Sequence, residues 1–337
     1  MLIGIIGAGT MGTNHARVLS AMKGVDICIS EVNEERCKDI AGTFNAKSYY
    51  FDHNEMLEKE KLDGVIIAAP SQFHKKLFLD CIKRKVNILV EKPIAENLED
   101  ASMMIEKARE SGVTFTVGHV ERFNPVVSRM KEMMKELGEI YLVNTVRAGP
   151  FPKRLYGSPG GVLVDLAVHD ADIISYLVGD IDEVFAHVIR AGSQEIYANA
   201  LFKIGNIRGS SEFSWVSPKR VRTIEIYGTN GMLRGDYHSQ NLWFYENQDS
   251  APNDAEHSRK TKNLFEDIIL KGSVTEGRVI QHPIRAEEPL KLELQNFVDS
   301  ISGQKPLVKL EEARKALAVA LSILESGNEN RAVKVIQ

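Results

Sequence analysis

Cysteine is too scarce in this chain to build a disulfide scaffold. Cys28, Cys37 and Cys81 are three in 337 residues, an odd number, with two in predicted helices and none in a C-x-x-C metal spacing. They read as reduced, inert thiols. No apolar run approaches the roughly 18 residues of a membrane span, and the first predicted strand starts at Leu2, leaving no room for a signal peptide. The expectation is a cytoplasmic protein with no membrane segment. Excess charge is missing as well: the net charge is -4 and the basic residues form no run, so nothing points to nucleic acid or to an anionic membrane surface. Repeats and low-complexity tracts are absent.

What is present is the composition of a soluble globular enzyme, 43% apolar and 26% charged. At roughly 100 to 200 residues per domain the length suggests two domains. From Met1 to about His119 short apolar runs, Leu2–Ile6, Asp26–Ser30, Gly64–Ala68, Val86–Val90 and Thr114–Val117, alternate with helical patterns. That alternation predicts βαβ units, a parallel sheet with helices on both faces, and a first domain over residues 1–120. One of its helices is predicted to start at an Asn97 cap and to stop at Gly112. Residues 121–337 read differently. A helix from Pro125 to Leu137 precedes strand-like runs at Glu139–Arg147, Asp182–Ile189, Glu195–Ile204, Arg208–Trp215 and Arg222–Tyr227, with Thr229-Asn230-Gly231 as a hairpin signal. This predicts an α+β domain with a mostly antiparallel sheet, a helix over Gly161 to Val178 against it, a polar mobile loop from Glu246 to Asn263, and a final helix from Leu310 to Ser326.

Two motifs carry chemistry. Gly7-Ala8-Gly9-Thr10-Met11-Gly12 matches G-x-G-x-x-G between an apolar strand and a helix, with Glu31 ending the next strand about 20 residues on, where a ribose-binding acid is expected. Such glycines let the backbone approach a pyrophosphate, whose charge the helix N-terminus meets. The pattern is that of a Rossmann dinucleotide fold. A carboxylate at Glu31 would repel a 2′-phosphate, so NAD is expected, with NADP left open by the nearby Arg36 and Lys38. Glu91-Lys92-Pro93 ends the fourth run at the edge where ligands bind in such sheets, which aims the Lys92 ammonium into the site. Ala69, Pro70 and His74 bring a second loop to that edge; His74 reads as a packed or capping histidine.

The second motif is Asp165 and His169, at i and i+4 of a predicted helix. The carboxylate would orient the imidazole or raise its basicity. A histidine titrating near neutrality can take a hydroxyl proton as hydride leaves the same carbon, while Lys92 hydrogen-bonds the oxygen. Competing readings are a metal site from Asp165, His169, Asp170 and Asp172, and a helix with solvated polar groups; no metal is expected. The segment from Arg147 through Lys153, Arg154 and Tyr156 leads toward this helix, and arginine forks suit phosphate oxygens. A solvated basic loop or a subunit contact is the alternative.

Taken together, Gly7, Gly9 and Gly12, Glu91-Lys92-Pro93, Arg122-Phe123 with Pro125, and Asp165 with His169 resemble the glucose-fructose oxidoreductase, inositol dehydrogenase and rhizopine-catabolism (Gfo/Idh/MocA) family over nearly the whole chain. The resemblance implies NAD(P)-dependent oxidation of a sugar or cyclitol hydroxyl, a homodimer or homotetramer built through the open C-terminal sheet, and catalytic roles for Lys92, Asp165 and His169. It also implies that Thr10, Met11, Glu31, Ala69, Pro70, His74 and Glu91 line the cofactor. Gly149-Pro150-Phe151-Pro152 and the Asp165 to Asp170 stretch are similar to the UDP-N-acetylglucosamine 3-dehydrogenase branch, which would make the 3-hydroxyl of a UDP-linked amino sugar the reacting group. Alternatives are an inositol or free-sugar dehydrogenase using Arg122 and Asn124, and a non-catalytic NAD sensor.

Overall fold

A computed structural model describes residues 1–152, 161–247 and 277–336. The apolar runs become β1 (Leu2–Ile6), β2 (Asp26–Ser30), β4 (Gly64–Ile67), β5 (Asn87–Glu91) and β6 (Phe115–Gly118), joined by the short β3 (Ser48–Tyr50), in a parallel sheet ordered β3-β2-β1-β4-β5-β6. The runs lack polar alternation because both faces are covered. Ile3, Ile5, Ile66 and Leu89 pack with α1 (Thr10–Ser20) and α2 (Glu34–Thr43); Val65, Ile67, Ile88 and Val90 pack with α4 (His74–Lys83) and α5 (Leu98–Ser111), while α3 (His53–Lys59) lies near the edge. Asn97 caps α5 through a 2.8 Å bond from the Asp100 N–H, and Gly112 ends it at φ 70°. The strand order reverses between β1 and β4, so the loops after them flank one crevice.

Among the described residues the second sheet has nine strands, ordered β14-β13-β12-β11-β7-β10-β9-β8-β15. They are β7 (Ile140–Pro150), β8 (Glu183–Ala191), β9 (Gln194–Ile204), β10 (Ile207–Ser214), β11 (Val216–Gly228), β12 (Gly231–Asp236), β13 (Asn241–Glu246), β14 (Val279–His282) and β15 (Val333–Lys334). Only the β7/β10 pair is parallel. One face, including Val143, Ala200, Phe202, Ile224, Ile226 and Leu233, packs on α7 (Val168–Leu177) and α6 (Pro125–Met133). The expected helix to Leu137 tightens after Met133 into a 3-10 turn that Gly138 ends at φ 72°. Past Asn247 the expected polar loop lies outside the described residues.

The C-terminal segment holds a helix the pattern did not show, α8 (Pro289–Ile301), and a final helix, α9 (Leu310–Glu329), which runs beyond Ser326 to the left-handed Asn330. Leu290, Leu294 and Phe297 of α8 join Ile3, Ile5 and Leu19 in one cluster. Along α9, Ala313 and Leu317 pack with Phe115 and Val117, while Ala316, Val319 and Ile323 pack under the antiparallel sheet. A division at residue 120 therefore separates the two sheets but not the two cores. Among the described residues no helix is long and apolar enough to cross a membrane.

Candidate active site

The glycine loop has one geometry that only glycines permit. Gly7 sits at φ 93°, and a Cβ there would meet the Ala68 carbonyl oxygen at 2.9 Å; a Cβ on Gly12 would lie 1.8 Å from the Gly7 oxygen. So α1 packs on its own loop and the loop packs on the Ala68-Ala69 turn. Above Gly9 a Cβ would meet nothing within 4 Å. That space faces the start of α1, at Thr10 and Met11, where no acidic side chain competes for the helix's positive end. At the end of β2 the buried Glu31 accepts from the Ala8 N–H at 2.8 Å and the Asn33 N–H at 3.0 Å, with Arg36 at 3.4 Å. An open cradle at a helix N-terminus with a carboxylate beside it fits a dinucleotide.

The second loop is braced from within. His74 spans the Ala69 and Pro93 carbonyl oxygens, each at 2.9 Å, and burial holds its pKa below the usual range against those two partners. It is a packed histidine that fixes both loops. Beneath them, Glu91 is hydrogen-bonded to His15 Nε2 at 2.7 Å and accepts from the Lys92 N–H at 3.2 Å. Burial alone would raise the Glu91 pKa; His15 and the Lys92 charge outweigh it and hold it low. His15 lies on α1, so this pair ties the glycine loop's helix to the lysine. Sequence pattern gave no signal for it.

The Lys92–Pro93 peptide is cis. From there Lys92 Nζ reaches across to the second unit, donating to the Asp165 carbonyl oxygen at 2.7 Å and to Oδ1 at 3.0 Å. Asp165 lies in a single wide π-helical turn, Leu163–Ala167, that leads into α7. Such turns recur at functional sites. The carboxylate thus meets Lys92, and among the described residues no hydrogen bond joins it to His169; the expected i, i+4 partnership is corrected, because the wide turn departs from the α-helical spacing that the expectation assumed.

His169 lies in the first turn of α7, and its Nδ1 is buried with no hydrogen-bond partner among the described residues. Burial first, then the positive charges of Lys92, Arg147 and Arg222, hold its pKa well below the usual range. The ring is neutral at neutral pH. Among the described residues it has no carboxylate partner, so its chemistry is that of an imidazole amid cations.

Three residues expected at the substrate lie elsewhere. Arg122 makes a two-pronged bond to Asp172, both contacts 2.7 Å, and a third to Glu312 on α9 at 2.8 Å. Asn124 caps α6 and bonds the Tyr237 carbonyl oxygen at 3.1 Å. Arg147 is not on a loop but on β7, donating to Asp170 at 2.7 Å and to Glu121 at 2.8 Å. All three are buried in a network with those partners, with Arg147 Nη2 left without a hydrogen bond among the described residues; burial is the reason that direct substrate contact is corrected for each. Lys153, Arg154 and Tyr156 lie outside the described residues. With Asp170 and Asp172 each on an arginine, the acids of the metal alternative are engaged, and among the described residues no metal-holding group is found.

A model described as the oxidoreductase family with an NAD-binding Rossmann fold (GFO_IDH_MocA) matches residues 1–119, and the GFO/IDH/MocA C-terminal domain matches residues 127–234. The chain belongs to the Gfo/Idh/MocA family. It is an NAD-binding oxidoreductase. Among curated relatives, scyllo-inositol 2-dehydrogenase (NAD(+)) of Bacillus subtilis is 30% identical over 246 residues, covering 68% of this chain and 72% of that protein. Myo-inositol 2-dehydrogenase of Thermotoga maritima is 26% identical over 354 residues, covering 99% and 98%. The structure of UDP-N-acetylglucosamine 3-dehydrogenase GnnA from Acidithiobacillus ferrooxidans superposes with a TM-score of 0.81 over 97% of both chains at 21% identity, a likeness of fold.

Proposed function

We propose that this Gfo/Idh/MocA protein is a dehydrogenase that oxidises a secondary hydroxyl of a sugar or polyol at the cleft between Lys92 and His169. The observation that carries the reading is the reach of Lys92 Nζ from the nucleotide-binding unit to the helical turn that holds Asp165 and introduces His169. The glycine loop, Glu31 and the Ala69-Pro70 turn would hold the dinucleotide, whose nicotinamide supplies the hydride acceptor when bound. Lys92 hydrogen-bonds the substrate oxygen and stabilises the negative charge that develops on it as the hydroxyl proton leaves. The neutral His169 imidazole accepts the hydroxyl proton, and Asp165 fixes the Lys92 ammonium in place.

Within this reaction the substrate we favour is a UDP-linked N-acetyl amino sugar oxidised at its 3-hydroxyl, a reading supported by the likeness to GnnA. Arg147 no longer supports it, since it is buried and its Nε and Nη1 serve Asp170 and Glu121. The cyclitol reading is supported by the two inositol dehydrogenases among the relatives. Leu201 and Ile189 are exposed on the outward face of the antiparallel sheet, which suits self-association of a cytoplasmic homo-oligomer through that face. Incubation with NAD and either UDP-N-acetylglucosamine, myo-inositol or scyllo-inositol, followed by NADH absorbance, separates the readings. Turnover of the UDP-sugar alone supports the first, turnover of a cyclitol alone replaces it with the second, and NAD binding without turnover of any leaves a sensor.

A further inference from the structure

Three cations act on the charge of His169, and their partners are unequal. Lys92 has both oxygens of its Asp165 bond. Arg147 has Asp170 and Glu121 at 2.7 and 2.8 Å. Arg222 has no hydrogen bond from its guanidinium among the described residues; the ion pair it makes there is with Glu121 Oε1 at 3.6 Å, an oxygen already taken by Arg147. Its side chain is nonetheless 39% exposed, where that of Arg147 is 2% exposed. Arg222 is the cation of the three that is both open and short of a counter-charge.

Its placement follows from strand register. On β11, Ile224 and Ile226 face the helix layer, so the two-residue period puts Arg222 on the same face, nearer the strand's start. Directly across on β7 stands Arg147, and two residues before it on β11 stands Arg220. Like charges opposite one another in a sheet are unfavourable. Here Glu121 and Asp170 give their hydrogen bonds to Arg147, and Arg222 is left with the longer ion pair to Glu121 at 3.6 Å. Arg222 therefore stands at the accessible edge of this group with the weakest hold on a counter-charge.

Building on the proposed dehydrogenase reading, we infer that Arg222 is an anchor for an anionic group, a carboxylate or a phosphate, on the substrate whose hydroxyl meets Lys92 and His169. A guanidinium fork accepts either group through two parallel hydrogen bonds, and such a contact selects acidic sugars or nucleotide-linked sugars over neutral polyols.

The test is calorimetric titration of the NADH-loaded protein with glucuronate, inorganic phosphate and UDP, repeated with Arg222→Gln and Arg222→Lys, with Arg129→Gln on the exposed face of α6 as control. At least one probe is expected to bind, and R222Q is expected to weaken it about tenfold or more, as loss of a charged hydrogen bond implies. R129Q should match the parent. Preference for glucuronate assigns a carboxylate; preference for phosphate and UDP assigns a phosphoryl group. Failure of the parent to bind any of the three, or equal binding by R222Q, overturns the inference. Should R222Q not fold, R222K carries the test, because loss of the fork alone is expected to weaken binding. Anion binding that depends on Arg222 without NAD-dependent oxidation of any sugar would leave the anchor standing and remove the dehydrogenase reading.

Discussion

The Lys92 ammonium donates to both the carbonyl and the carboxylate of Asp165, at 2.7 and 3.0 Å, across the boundary between the parallel and the antiparallel sheet. Removing it should separate binding from chemistry. Lys92→Ala is expected to lower kcat by about 100-fold or more, the usual worth of a positioned proton-transfer group. NADH affinity by fluorescence titration should stay within a few fold, since the glycine loop and Glu31 are untouched. Turnover at the parent rate would take Lys92 out of the mechanism.

The pH profile should report His169. Its basic form is the one able to accept a proton, and its pKa in the fold lies well below 6.5. kcat/KM is therefore expected to hold level as pH falls through 6.5 and to decline only in more acid solution, and His169→Asn should remove that acid limb. An acid limb centred at or above the ordinary histidine value, or one that survives in H169N, would assign the titration to another group.

Cofactor choice should follow Glu31. Its carboxylate ends β2 beside the Ala8 N–H, where it would repel a 2′-phosphate. Replacement by serine leaves Arg36 without that carboxylate at 3.4 Å. The ratio of kcat/KM for NADP over NAD is expected to rise by about tenfold or more in E31S, the worth of a charged contact. An unchanged ratio would mean that the ribose lies away from β2.

Glu293 on α8 should cost stability at neutral pH. Both its oxygens are buried without a hydrogen bond among the described residues, and burial, with the Glu91 charge, pushes its pKa well above the ordinary 4.5. The unfolded chain ionises this group near 4.5 while the fold keeps the proton, so its contribution weakens as pH rises from there toward the folded value. Glu293→Met is expected to raise stability by about 1–3 kcal/mol near pH 8 and by less near pH 5, as removal of an unpartnered buried polar group allows. Urea unfolding at the two pH values measures it; destabilisation at both would show that Glu293 has a partner.

The nucleotide-binding half was legible because its signals are local: a glycine spacing, continuous apolar strands, an Asn97 cap and a Gly112 stop. The reacting pair was legible in part. Lys92 and His169 were marked by their positions at a strand end and on a helix, but the wide turn at Leu163–Ala167 redirected Asp165 from His169 to Lys92. Arg122 was misread because its partners, Asp172 and Glu312, lie 50 and 190 residues away. A cation looks the same in sequence whether it faces a ligand or a buried carboxylate. Arg222 could have been found by extending the alternation of Ile224 and Ile226 backward, which puts a charge on an apolar face. No pattern marked α8, whose buried face mixes Glu293 and Ser300 with Leu290, Leu294 and Phe297.

The return of α8 to the first sheet limits how this protein could be recombined. Leu290, Leu294 and Phe297 lie on the same cluster as Ile3 and Ile5, and full burial of three such side chains contributes about 5–9 kcal/mol. A chimera that takes its nucleotide-binding half from another family member must therefore take the tail from the same donor, or leave a mismatched seam against the parallel sheet.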